Sequence, residues 1–292
     1  MRITESIIFN TYLNDIRKHQ ETLFDLHKQL ATGKSVNTLS DDPVNVGRIL
    51  GTRTILSSYE QYIRNINSGL AYLSVAESAL ERVKDVLIRA KEVAVVQATG
   101  TADARSRLNA AFEVSQMFDE LVSLGNQNFQ GDYIFAGYKN GTAPFDSSGN
   151  YSGDTGEYAI QVEQNKTITV GINGGEVLKG TGGGIDVFQV MSDLITALNS
   201  DDTDGIKTAV GQLDTAFDQV ATAVSDLGGR VQRLNATKED LENSQIDLRV
   251  ILSGMEDADV TEVISEMSKR QVALEAAMTS ASRVFDLSLF KV

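Results

Sequence analysis

The chain has 292 residues and a formal net charge of −14, with no cysteine, no tryptophan and two prolines. The acidic excess argues against a surface for nucleic acid or anionic lipid. The missing cysteines exclude a disulfide frame, a thiolate zinc site and a thiol nucleophile. The length allows more than one packed unit.

The N-terminal stretch MRITESIIFNTYLNDIR has neither the apolar core nor the cleavage site of a secretory signal. No stretch reaches the roughly 18 unbroken apolar residues of a membrane span. If this chain leaves the cell, another export route is expected. The first helix carries Phe9, Leu13, Ile16, Leu23 and Leu30 on one seam, with Gln20 and His27 at its polar positions. The stretch ATGKSVNTLSDDP (31–43) breaks that period. Asp42 and Pro43 then read as N-cap and first residue of a second helix.

That helix bears Leu56, Tyr59, Ile63, Ile66, Leu70 and Leu73, shifts by one place, and continues through Ala76, Leu80, Val83, Leu87, Ala90 and Ala94. TGTAD (99–103) is a turn. A third helix carries Leu108, Ala111, Phe118 and Val122. The segment 131–184 differs from both flanks, being rich in Gly, Thr, Asn and Asp. Tyr158, Ile160 and Val162 alternate with polar residues, as do Ile168, Val170 and Ile172. Asn173-Gly174 reads as a hairpin turn, so the segment is read as a small antiparallel β module, with a flexible Gly-rich loop as the second reading. GTGGG (180–184) reads as a flexible return.

The next seam steps by four and three from Ile206 through Val210, Leu213, Phe217, Val220, Val224, Leu227, Val231 and Leu234. Lys238 and Gln245 interrupt it; Leu241, Leu248 and Leu252 resume it. The phase passes through Gly228-Gly229, so one helix is expected, a rod of roughly 70 Å from 205 to 253. Asp259 and Glu262 form a capping box for a separate closing helix. Its seam is Val260, Ile264, Met267, Leu274, Met278, Ala281 and Phe285, with a lapse at Gln271.

These elements predict a mainly α chain: a long antiparallel helical coiled-coil or bundle rod made by the N- and C-terminal halves, with a small antiparallel β domain inserted at its tip. The expected division is 1–42 with 256–292 as a terminal coiled-coil assembly domain. The rod is 43–130 with 185–255, and the β-rich insert is 131–184.

Catalytic motifs are poorly supported. TGKS (32–35) lacks the upstream glycine of a phosphate loop, since position 28 is Lys28. With Gly205 as sixth residue of a calcium loop, the twelfth is Gly211 rather than a bidentate Glu. DDTDG (201–205) therefore reads as a turn with an acidic N-cap. His19 and His27 are the only histidines, and both lie on the first helix. No enzyme activity, cofactor or metal is expected. The terminal seams, together with Leu287, Leu289 and Phe290, are expected to form an assembly interface. The two terminal helices are expected to be mobile in the monomer and to order when neighbouring copies bury them.

LATGKSVNTLSDDPVNVGRIL (30–50) resembles the N-terminal signature of the flagellin superfamily, and DADVTEVISEMSKRQVALEAA (257–277) resembles its C-terminal one. The motif positions are Gly33, Asn37, Asp41, Asp42, Asp257 and Asp259. Within the superfamily, the opening MRIT, the stretch QGDYIFAGYKNGTAPF (130–145) and the ending LEAAMTSASRVFDLSLF look more like the hook–filament junction branch than like filament flagellin. The resemblance implies a structural protein of the bacterial flagellum that forms a ring joining hook to filament and templates flagellin. It implies an outer coiled coil lining an axial channel, and type III export without signal cleavage. The implied partners are other copies of the chain, the first hook-associated junction protein, flagellin, and an export chaperone on the C-terminal helix. No nucleic acid or membrane partner is implied. Filament flagellin and a secreted coiled-coil adhesin are the alternatives.

Overall fold

A computed structural model of the protein describes residues 5–38, 40–100 and 102–289, with the side chains of 5, 6, 8, 9 and 284–289 outside the described set. The elements in order are α1 (Glu5–Thr32), α2 (Pro43–Gln97), α3 (Ala104–Gly125), β1 (Asn128–Phe129), β2 (Asp132–Tyr133), β3 (Ala159–Glu163), β4 (Lys166–Thr169), α4 (Gly174–Val177), α5 (Val187–Asn199), α6 (Thr203–Glu256) and α7 (Val260–Leu289). They fall into two compact units. One is Met1–Ser58 with Asn243–Val292; the other is Tyr59–Glu242.

In the larger unit, the seams read from the sequence make the core. Ile66, Leu73, Leu80, Leu87, Leu213, Val220 and Leu234 are buried in one cluster. Each buried aliphatic side chain contributes about 1.5–3 kcal/mol relative to exposure. The two long helices run antiparallel here. Lys91 pairs with Asp214, Lys84 lies over the Phe217 ring at 5.7 Å, and Gly69 faces Leu234. As numbers fall along α2 they rise along α6. A Cβ on Gly69 would stand 2.6 Å from Ile160 Cδ1 and 3.6 Å from Leu234 Cδ1, so the missing side chain admits both neighbours.

Helix α6 runs unbroken through Gly228 and Gly229. It starts where Asp202 Oδ1 accepts from the amides of Asp204 and Gly205, the acidic cap expected at that turn. On α3, Ala111 is buried and Phe118 and Val122 pack against the core as expected; Leu108 is the correction. Leu108 is exposed, while Ala110, Ala111, Val114, Met117, Leu121 and Leu124 are buried. Beside it Arg107 takes the inward position: its guanidinium is buried, bonding the carbonyls of Gln97 and Thr99 and the Asp201 carboxylate.

The insert contributes to the same core through Phe135, Val162, Val170 and Leu178. β3 and β4 pair antiparallel, with Ile160 opposite Ile168. The hairpin turn is corrected: it lies at Gln164-Asn165, where Asn165 has φ 63°. Asn173 instead caps α4, its Oδ1 accepting from the amides of Gly175 and Glu176. A second small hairpin, β1–β2, was not anticipated, nor was α5, which packs on α3. The return at 180–184 is an ordered turn rather than a flexible one. Gly183 donates to Gly180 O, and Gln219 clamps its exit by accepting from Ile185 N and donating to the carbonyls of Val177 and Ile185.

In the smaller unit α1 packs along α7. Within one copy, each terminal helix packs against the other. The pair is held at one end by the loop described next. Among the described residues no helix is long and apolar enough to cross a membrane, and no group of three or more His, Asp or Glu side chains is placed to hold a metal.

Candidate assembly surface

The motif residues are turn-makers, and the loop they build ties the two ends of the chain together. Helix α1 ends at Gly33, whose φ of 70° and amide bond to Gln29 O close the last turn. Lys34 then bridges antiparallel to Asp257, and Ala258 donates to Gly33 O at 2.9 Å. Asn37 donates from Nδ2 to Lys34 O at 2.7 Å. Asp41 accepts from the amides of Asn37 and Thr38 and from the Thr38 hydroxyl, at 2.6–2.8 Å. Those bonds, the hydroxyl's first, hold its carboxyl below the usual range.

Asp42 caps α2 by accepting from Val44 N and Asn45 N. Its carboxyl is likewise lowered, chiefly by Asn45. On the opposite strand of the loop, Asp257 accepts from Ser253 Oγ. Asp259 caps α7 through the amides of Thr261 and Glu262.

Glu256 lies at the centre of this loop and was not singled out in the sequence. Its carbonyl accepts from Ser35 N at 2.7 Å, Val36 N at 3.4 Å and Ser35 Oγ at 3.1 Å. Its carboxylate pairs with Lys34 at 2.6 Å and with Arg53. The side chain is only 7 % exposed. Burial alone would raise its pKa; bonds from Lys34 and Arg53 outweigh that and leave it lowered. Nothing local marks it, because both cations lie some 200 residues away.

The predicted seam residues divide. On α1, Ile16, Leu23 and Leu30 are half-buried and Leu13 is exposed; the position fully buried is Leu26. On α7, Met267 and Leu274 are half-buried and Ala281 is buried, together with Val263. Val260, Ile264 and Met278 are each 45–51 % exposed. The side chains of Phe9, Phe285, Leu287 and Leu289, and Phe290 entirely, lie outside the described residues. Phe24, at 70 % exposed, and Val272, at 67 %, add apolar surface that the seam reading missed. The smaller unit thus carries two kinds of apolar position: those spent within the α1–α7 pair, and a set left in water.

A model of the bacterial flagellin N-terminal helical region matches residues 3–140, and one of the bacterial flagellin C-terminal helical region matches residues 210–289. The chain belongs to the flagellin family. The matched regions span the α1–α3 half and most of α6 with α7, leaving out most of the insert. Flagellar hook-associated protein 3 of Salmonella typhimurium is 25 % identical, over 100 % of this chain and 99 % of its own. The flagellin of Bacillus subtilis is 27 % identical, over 95 % and 94 %. Among solved structures, a flagellar hook-associated protein from Vibrio parahaemolyticus matches with a TM-score of 0.69 and 23 % identity, covering 74 % of this chain and 100 % of that one. That likeness gives the flagellin-family chain its fold: long helices from both ends, with small antiparallel sheets between.

Proposed function

We propose that this chain is the structural piece that joins hook to filament in a bacterial flagellum. It forms a ring and offers the first flagellin subunits a lattice to copy. One observation carries the reading: the α1–α7 pair leaves Leu13, Val260, Ile264 and Met278 in water on the elements that hold the family's two signatures. Covering the exposed half of each by a neighbouring copy would contribute roughly 1 kcal/mol. The end-to-end match to a hook-associated protein 3 supports the junction role over a generic flagellar one.

In this reading 1–42 with 256–292 is the assembly domain, 43–130 with 185–255 the rod and 131–184 the outward insert. The interface is made by Phe9, Leu13, Ile16, Leu23 and Leu30 with Val260, Ile264, Met267, Leu274, Met278, Ala281 and Phe285, continued by Leu287, Leu289 and Phe290. The partners are further copies of the chain, the hook-side junction protein and flagellin. The protein works outside the cell, after export without signal cleavage with a chaperone on α7. Its role is mechanical, so no residue is assigned to catalysis.

A second reading, filament flagellin, is favoured by the near-complete match to the Bacillus subtilis protein. Seeded polymerisation separates the two. The purified chain is added to hook fragments that carry the hook-side junction protein, and the ends are viewed by electron microscopy. A junction protein adds one short layer and stops until flagellin is supplied. Long filaments grown from this chain alone would make it the flagellin.

A further inference from the structure

A cleft in the larger unit has no part in assembly as read above. Five aromatic rings line it: Tyr72 of α2, Phe129 and Tyr133 of the β1–β2 hairpin, and Tyr138 and Tyr158 from the following loops. Its volume is about 240 Å³, below the roughly 300 Å³ at which drug-sized pockets begin, which suits a ligand of one or two rings.

Tyr138 and Tyr72 are held in place before any ligand arrives. The Tyr138 hydroxyl donates to Glu157 O at 3.0 Å, and its ring lies so close to Gly156 that a Cβ there would stand 2.2 Å away. The Tyr72 hydroxyl donates to Ile134 O at 2.7 Å, and its ring meets Phe129 edge-on with centroids 6.0 Å apart. Burial first, then the charge of Asp132 and the nearby Tyr158, push the Tyr72 hydroxyl up to about 12. Tyr72, Asp132 and Tyr158 all line this one cleft. Tyr138, though fixed, is 68 % exposed, and Tyr158 is 54 % exposed. Rigid, half-bare aromatic faces lose little entropy when covered.

The rim is polar and lacks cations. Gln130 and Gly131 both have positive φ, 55° and 100°, forming the two-residue turn that sets Gln130 and Asp132 at the edge. Asn140 completes the rim, and no lysine or arginine is among the described lining residues. A phosphate or carboxylate ligand would meet Asp132 with no positive partner. A wholly apolar ligand would strip water from two amides and a carboxylate without replacing its bonds. A quaternary cation would suit the rings and Asp132 but leave the amide N–H groups unused. A sugar satisfies all of them: its C–H face lies on an aromatic ring, and its hydroxyls both donate and accept.

We propose that this cleft binds a neutral saccharide, with Tyr138 and Tyr158 stacking on the sugar face and Gln130, Asp132 and Asn140 bonding its hydroxyls. The test is saturation-transfer NMR on the full chain with chitotriose, maltotriose and lactose, and with choline as the cationic control. The expected result is transfer to the ring protons of at least one sugar. Tyr158→Ala, and independently Asn140→Ala, then weaken that sugar's binding by at least about fivefold while the melting temperature holds. Transfer to none of the three sugars overturns the proposal. Sugar transfer unchanged in both variants overturns the assigned place. Transfer to choline alone makes the cleft a cation cage instead.

Discussion

Lys34 reaches the Glu256 carboxylate at 2.6 Å across 222 residues of sequence. Arg53 takes the second oxygen of the same carboxylate, and the Glu256 carbonyl holds the Ser35 amide and hydroxyl. One residue thus fastens the turn after α1 to the turn before α7. The stretches around Gly33–Asp42 and Asp257–Asp259, far apart in sequence and each inside a family-matched region, are two sides of one loop.

Removing that charge should loosen the loop. Glu256→Gln keeps the shape but leaves Lys34 and Arg53 without their carboxylate. The expected cost is about 1–2 kcal/mol, below the usual figure for a broken buried pair because both cations are more than a third exposed. Thermal unfolding followed by circular dichroism reads it.

The same substitution should alter acid behaviour. The folded pKa of Glu256 lies below its unfolded value, so its stabilisation is fully present above the usual glutamate pKa of about 4.3. It is lost as pH falls through the lowered folded value. Melting temperatures of the native chain should hold to about pH 5 and drop below pH 4, and the drop should be shallower in Glu256→Gln. Equal acid slopes in both proteins would remove Glu256 as the cause.

Gln245 sits where the α6 seam calls for an apolar residue. It is buried, and its Nε2 has no hydrogen-bond partner among the described residues. Gln245→Leu removes that desolvated amide and restores the heptad. A gain of about 1–2 kcal/mol is expected in denaturant melts. A loss would mean that the amide is satisfied in solution or fixes register.

Gly228 and Gly229 stand inside α6 with open space where a Cβ would go. Each Gly→Ala change should stabilise the helix by about 0.5–1 kcal/mol. If the double variant melts higher yet assembles poorly, the pair serves helix bending during assembly rather than folding.

Substitutions on the terminal pair should separate folding from assembly. Leu26→Ala opens a buried site between α1 and its surroundings and should cost about 2–4 kcal/mol. Ile264→Ser and Val260→Ser change exposed positions and should shift stability by no more than about 0.5 kcal/mol. Only the second kind should abolish incorporation into hook-seeded particles without lowering the melting temperature.

The heptad phase of α2 and α6 was legible because a repeated apolar step is local information. Leu73, Leu80, Leu213 and Leu234 went straight from pattern to core. What failed to read through was set by distant partners. Leu108 faces outward, while its neighbour Arg107 is held inward by Gln97, Thr99 and Asp201. Asn173-Gly174 has the letters of a hairpin turn, yet its asparagine caps α4. Glu256 carries no local signal at all. Along α7, the step of three and four correctly marks apolar positions but does not say which a single chain uses. Val263 and Ala281 are buried, whereas Val260 and Ile264, on the same helix, face water.

The most direct test of the junction role is a clean deletion of this chain, with cells and culture medium examined together. The account predicts bare hooks on the cells and flagellin shed into the medium, reversed by the native chain but not by Ile264→Ser with Val260→Ser. Bare hooks with no flagellin anywhere would contradict it and make this chain the filament subunit. Normal filaments, in a genome with no second copy, would remove it from the flagellum's assembly altogether.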